Sequence, residues 1–167
     1  MDKGYLHVYT GDGKGKTTAA LGLALRAAGA GLRVFIAQFV KGMHYSELEA
    51  LERFDDLITV KQFGRDCFIR REPEQADIDA ARAGLEEVRE LLAGEAPPDV
   101  LILDEANIAT FYDLFGVDEL LEVIEARPEG VEVIVTGRKA DPRLIEKADL
   151  VTEMKEVRHY YAKGVEA

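Results

Sequence analysis

Short runs rich in Val, Ile and Phe alternate with helix-patterned stretches along this chain, and that alternation leaves few architectures open. The runs cover residues 5–9, 33–40, 58–63, 100–103, 131–135 and 150–154. Residues 17–28 are apolar on nearly every face, as suits a helix pressed against a sheet. Ile78, Ala81, Leu85, Val88 and Leu92 recur at spacings of three and four, which predicts an amphipathic helix with a charged outer face. Arg70-Arg71-Glu72-Pro73-Glu74 reads as its entrance. Leu120, Leu121 and Ile124 predict another helix, and Pro142 with Leu144, Ile145 and Ala148 a short one. Strands joined through helices require right-handed crossovers, hence an α/β fold with a mainly parallel sheet and helices on both faces. Ligands in such folds sit beyond the carboxyl ends of the strands. No repeat, low-complexity tract or linker interrupts the 167 residues, so 1–167 reads as a single domain.

Residues 10–18 read TGDGKGKTT, between the first run and the first helix. Gly11, Gly13 and Gly15 allow positive φ and bring peptide N–H groups close to a ligand. Together with the unpaired N–H groups of the helix start, they form a nest for phosphate oxygens. Lys16 reaches such a nest as a point charge, and the Thr17 hydroxyl is placed to ligate Mg²⁺. The general pattern GxxxxGK[ST] has glycine where this chain has Thr10, and Lys14 is a cation that the pattern does not ask for. A Gly-Lys-rich connecting turn is the plain alternative, but it does not call for a strand before and an apolar helix after.

DVLILDEA (99–106) is a second apolar strand, ending in Asp104-Glu105. One of that pair can reach Mg²⁺ directly or through water, or Glu105 can orient a nucleophilic water. The competing reading makes Asp104 the cap of the next helix. VEVIVTGRK (131–139) ends at the same edge, and Arg138 just beyond it can fork onto phosphate oxygens or stand as a solvated surface arginine.

With 32 acidic against 21 basic side chains the net charge is −11, which disfavours a nucleic-acid binder, because that affinity comes from Lys and Arg neutralising phosphates. It does not oppose one small anion held locally. The single cysteine, Cys67, excludes an internal disulfide, and with three scattered histidines it makes no common zinc site. The opening residues lack the build of a signal peptide and no run is long enough to span a bilayer, so a cytoplasmic protein without membrane partners is expected. His7 and His44-Tyr45 read as packed or solvated side chains.

Three stretches together resemble the ATP:corrinoid adenosyltransferases of the phosphate-loop type. The loop reads TG-x-GKGKTTAA, so Thr10 and Lys14 are family features; residues 38–42 read QFVKG; and TGR (136–138) leads to ADLVTEM and the basic-aromatic VRHYYAKGV. The resemblance covers nearly the whole chain and implies a RecA-like P-loop NTPase fold. It implies that a reduced Co(I) corrinoid attacks C5′ of ATP and tripolyphosphate leaves, in adenosylcobalamin biosynthesis or salvage. By position, Gly11, Asp12, Gly13, Lys14, Gly15, Lys16, Thr17 and Thr18 hold the triphosphate, with Arg26 near the nucleotide and Arg138 on phosphate. Lys14, Lys16 and Arg138 then gather on the departing charge, while Thr17 with Glu105, and Asp104 beside it, hold Mg²⁺. Gln38, Lys41 and Glu47 match positions near the site, and His159, Tyr160 and Tyr161 match the family's tail. The resemblance further implies a homodimer and an electron-donating flavoprotein partner. The family's Gly-Phe-x-Trp stretch is not matched: residues 63–72 read FGRDCFIRRE, with Phe68 a partial substitute and no tryptophan in the chain. Two other readings stay open on the residues alone, a RecA-like Mg-dependent ATPase and a non-catalytic nucleotide-switched module.

Overall fold

The computed structural model describes residues 2–65 and 72–165, so Cys67 and Phe68 lie outside the described residues. The strands are β1 (Leu6–Thr10), β2 (Val34–Phe39), β3 (Ile58–Phe63), β4 (Val100–Asp104), β5 (Glu132–Thr136) and β6 (Leu150–Glu153). The helices are α1 (Lys16–Gly29), α2 (Ser46–Leu51), α3 (Gln75–Ala93), α4 (Ala106–Phe111), α5 (Val117–Glu125) and α6 (Pro142–Lys147). The strands form one sheet in the order β3-β2-β4-β5-β1-β6, and every pairing is parallel. All six apolar runs are strands, displaced by a residue or two at their ends. The short helix α2 was not anticipated, since six residues are too few for a helical period to declare itself. Among the described residues no helix is long and apolar enough to cross a membrane.

Strand alternation splits the core into two layers. Val34, Ile36, Val100, Ile102 and Ile134 face α1, whose Ala20, Ala24, Ala27 and Ala28 let the helix lie close to the sheet. Phe35, Phe39, Leu101, Leu103, Val133 and Val135 face the other way, onto Leu85 and Val88 of α3, Leu120 and Ile124 of α5, and Leu144 of α6. Helix α3 starts where the charged entrance was expected: Glu74 is its N-cap, in a reciprocal capping box with Asp77. Among the described residues edge strand β6 pairs only with β1, in line with its exposed side chains.

Gly84, inside α3, lies tight against Phe63 of β3. A Cβ there would lie 2.3 Å from Cγ and 2.7 Å from Cβ of Phe63, atoms close to the β3 backbone that cannot swing aside. Helix propensity favours alanine over glycine by about 1 kcal/mol, but overpacking of this kind costs about 1–3 kcal/mol. Gly84→Ala is therefore expected to lower the urea midpoint of unfolding, whereas propensity alone would raise it.

Candidate active site

The strand faces that pack against α1 turn polar together at their carboxyl ends. Ile58-x-Val60 is followed by Gln62, Val34-x-Ile36 by Gln38, Val100-x-Ile102 by Asp104, and Ile134 by Thr136. Register aligns them: Gln38 lies opposite both Gln62 and Asp104, and Asp104 and Thr136 follow the Leu103–Val135 pair. A polar row thus crosses four strands, and α1 begins beside it with Lys16 and Thr17.

Asp104 is the centre of that row, only 1% exposed. Its Oδ1 accepts from Thr17 Oγ1 at 2.9 Å and from Thr136 Oγ1 at 2.6 Å. Its Oδ2 accepts from Gln38 Nε2 at 3.2 Å and from Lys41 Nζ at 2.6 Å. Gln62 Nε2 in turn donates to Gln38 Oε1, 3.2 Å away. The N-cap of α4 is Glu105 rather than Asp104, so the helix-cap reading of Asp104 does not hold. Asp104 spends its acceptor capacity within the protein.

Glu105 differs from its neighbour. Its backbone adopts φ 60°, in the left-handed region, and its N–H donates to Thr136 Oγ1 at 3.1 Å. No donor among the described residues bonds its carboxyl. Burial, with Asp104 beside it, raises that carboxyl above the usual carboxylate range, against the pull of Lys41, Lys16 and Arg138. Gly137, at φ 127°, makes room: a Cβ there would lie 3.2 Å from Glu105 Oε2 and 3.0 Å from Asn107 Cβ.

The glycine loop folds back on itself. Lys16 Nζ donates to Gly11 O at 2.7 Å and Gly13 O at 2.6 Å, and burial is the main cause pushing its ammonium below the ordinary lysine value. Gly11 and Gly15 have φ of 95° and 123°, so the positive angles foreseen for the loop are present at two of its three glycines. Thr10, where the general motif has glycine, is used structurally: its carbonyl accepts from Met154 N and its hydroxyl from Ala140 N. Met154 and Lys155 flank the loop so closely that a Cβ on Gly11 or Gly13 would meet their backbone atoms at 2.4–2.8 Å.

Other expected residues fall at varied distances from this centre. Arg138 and Asp12 are exposed, yet the charge of each reaches Lys16. Lys14 points to the tail, donating to the Tyr160 hydroxyl at 2.8 Å, and His159 lies tilted against that ring. Thr18 is exposed in the first turn of α1. Arg26 is exposed in the last turn of α1, ten residues and about 15 Å along the axis from Lys16, with its charge felt by Tyr9. The fold does not bring it to the loop within this chain. Glu47, in the first turn of α2, contributes its charge to Lys41, whose ammonium stays above the usual lysine value because Asp104, Glu105 and Glu47 together outweigh burial, the largest single cause. His7 pairs with Glu132 and His44 with Glu49, as residues outside the site.

Thr136, Gln62 and Asn107 were missed by sequence reasoning. Asn107, fully buried, donates to Gly137 O at 2.9 Å and so holds the backbone next to Arg138. The repeated pattern of apolar-x-apolar-x-polar at successive strand ends was the available signal for the first two.

The raised Glu105 carboxyl has a consequence for stability. A group whose folded pKa lies above its unfolded value contributes stability below the unfolded pKa, near 4.3 for glutamate, and loses it as pH rises through the folded value. Glu105→Gln is therefore expected to melt above the wild type at pH 7–8, with the difference closing toward pH 4. A melting-temperature series over that range checks it.

A family model described as ATP:corrinoid adenosyltransferase BtuR/CobO/CobP matches residues 2–167. A corrinoid adenosyltransferase of Pseudomonas aeruginosa is 39% identical, over 99% of this chain and 82% of its own length. One from a Sinorhizobium species is 37% identical over 99% and 78%, and the corrinoid adenosyltransferase CobA of Salmonella typhimurium 35% over 99% and 84%. A model match along almost the entire chain, on a parallel sheet whose glycine loop and acidic strand end meet at Thr17 and Asp104, leaves no ambiguity of kinship: the chain belongs to the ATP:corrinoid adenosyltransferase family.

Proposed function

We propose that this protein transfers the 5′-deoxyadenosyl group of ATP to the Co(I) centre of a corrinoid and releases tripolyphosphate. The observation that carries the reading is the gathering of Lys16, Arg138 and the glycine loop around one carboxylate pair at a single sheet edge. The cobalt of the substrate supplies the electron pair that forms the new Co–C5′ bond, and the C5′–O bond electrons leave with the tripolyphosphate. The chain therefore has to bind and orient, and to stabilise a leaving group of high negative charge. Lys16 exchanges its bonds to the Gly11 and Gly13 carbonyls for phosphate oxygens, and the loop N–H groups join it. Lys14 and Arg138, both exposed beside the loop, complete the cationic wall. Asp12 and Thr18 belong to the same cradle through their backbone, while Arg26 would need a different approach to the nucleotide, such as from a second copy of the chain in a homodimer.

The residues fit a magnesium ion. Thr17 donates its only proton to Asp104, which leaves its oxygen lone pairs as acceptors, one of them taken by Lys41 Nζ at 3.2 Å, and no donor among the described residues bonds the Glu105 carboxyl. Thr17 and Glu105 would hold the ion, with Asp104 orienting Thr17 from behind. When bound, magnesium would offset charge on the polyphosphate. An electron-donating flavoprotein, needed to reach Co(I), completes the reading.

The test is anaerobic: full chain, Mg-ATP and chemically reduced cob(I)alamin, followed by absorbance, with phosphate products resolved in the same reaction. Adenosylcobalamin and tripolyphosphate are expected in equal amounts, with Lys16→Ala slower by on the order of 10²–10³-fold. Steady orthophosphate without adenosylated product would replace this reading with an ATPase.

A further inference from the structure

Lys41 stands where the proposed chemistry wants a different cation. Its Nζ lies 2.6 Å from Asp104 Oδ2 and 3.2 Å from Thr17 Oγ1, and its side chain is only 15% exposed. A lysine on a strand-end loop would ordinarily extend its ammonium into water. Here the backbone directs it inward. Val40 takes φ 61°, a left-handed conformation that a β-branched residue almost never adopts. Gly42 and Gly64 clamp the segment: a Cβ on Gly42 would lie 2.5 Å from the Arg65 carbonyl carbon, and one on Gly64 2.5 Å from Lys41 N. Tyr45 closes the remaining side, its ring centroid 5.7 Å from Nζ. Strain, backbone packing and an aromatic wall together place this ammonium against Thr17.

The charges around it explain what such a placement does. The Glu105 carboxyl feels one other carboxylate, Asp104, and three cations, Lys41, Lys16 and Arg138. Asp12 and Glu47 add acidic charge nearby, but Lys41 Nζ stands 3.2 Å from Thr17 Oγ1, so a free divalent ion on that oxygen meets its repulsion at contact distance. A polyphosphate brings negative charge that offsets this repulsion.

We propose that Lys41 is a tethered stand-in cation, which bridges Asp104 and Thr17 while the site is empty of nucleotide and gives up Thr17 when a divalent ion arrives with the polyphosphate. The inference rests on the reading that Thr17 and Glu105 hold the metal. It makes metal loading dependent on nucleotide, so neither the ion alone nor a stray metal settles in the site.

The experiment is a Mn²⁺ titration of the full chain, read by the loss of the free-ion electron paramagnetic resonance signal, without corrinoid and with or without ATP. Without ATP, Lys41→Met and Lys41→Gln are expected to bind one Mn²⁺ about tenfold more tightly than the wild type, or better, since a unit charge is removed from contact distance. The gain should vanish when Glu105→Gln is added. Glutamine keeps a donor for Asp104, so a folding defect in the methionine variant does not remove the test. Equal Mn²⁺ affinity of wild type and variants without ATP overturns the role of Lys41 alone, provided ATP still brings Mn²⁺ to the wild type. No Mn²⁺ on the wild type even with ATP overturns the assignment of Thr17 and Glu105, and the proposal with it.

Discussion

A carboxylate kept out of water has to be matched by donors, and the carboxyl end of this sheet is organised around meeting that demand for Asp104. The donors come from separate parts of the chain: Thr17 from α1, Gln38 from β2, Lys41 from the segment after it, and Thr136 from β5. Losing one leaves a buried acceptor short, at about 1–3 kcal/mol. A buried ion pair of this kind is a weak source of net stability, because desolvation offsets attraction. Its value is geometric. The placement of α1 that brings Thr17 to Asp104 also sets the glycine loop beside Glu105.

Backbone strain follows the same edge. Val40 and Glu105 each sit one residue past a strand, and Lys139 three past β5, all in the left-handed region at φ near 60°. Such residues cost of order 1–3 kcal/mol each and persist when the surroundings over-determine them. At Glu105 the turn sends one carboxyl inward and the next toward the open edge, which is how adjacent acids come to have different environments. At Val40 it turns Lys41 toward Asp104. The hydrophobic layers beneath, dense on both faces of the sheet, supply the rigidity against which these conformations are held.

The glycine loop, the acidic strand end and the parallel sheet were legible in the sequence because each is a local signal: residues that act together are neighbours in the chain. Lys41 was legible only as a position near the site, because its partner is 63 residues away and an ordinary Lys-Gly after a strand carries no mark of direction. Asn107 carries no mark in the sequence; its role comes from Gly137, which the β4–β5 pairing brings alongside. Asp104 and Glu105 are adjacent and chemically alike, and nothing in their spacing separates them. Their burial, hydrogen bonds and backbone angles do.

The charge balance then makes sense on two length scales. Over the whole chain the excess is acidic, at −11, and a long phosphate backbone lying across that surface would be repelled. Screening limits that repulsion to about 8 Å at physiological ionic strength. The Glu105 carboxyl feels Lys16, Lys41 and Arg138 as well as Asp104, so a short polyphosphate end meets cations at this edge. Lys16 is already desolvated and already bonded to the Gly11 and Gly13 carbonyls, so binding an anion exchanges one set of hydrogen bonds for a stronger, charge-assisted set instead of stripping water from a free ammonium. The loop is thus closed on itself in a way that lowers the cost of opening. An acidic protein can hold a compact polyanion because Lys16 and Lys41 have been desolvated during folding, beside the exposed Arg138, at the edge where the strands turn polar.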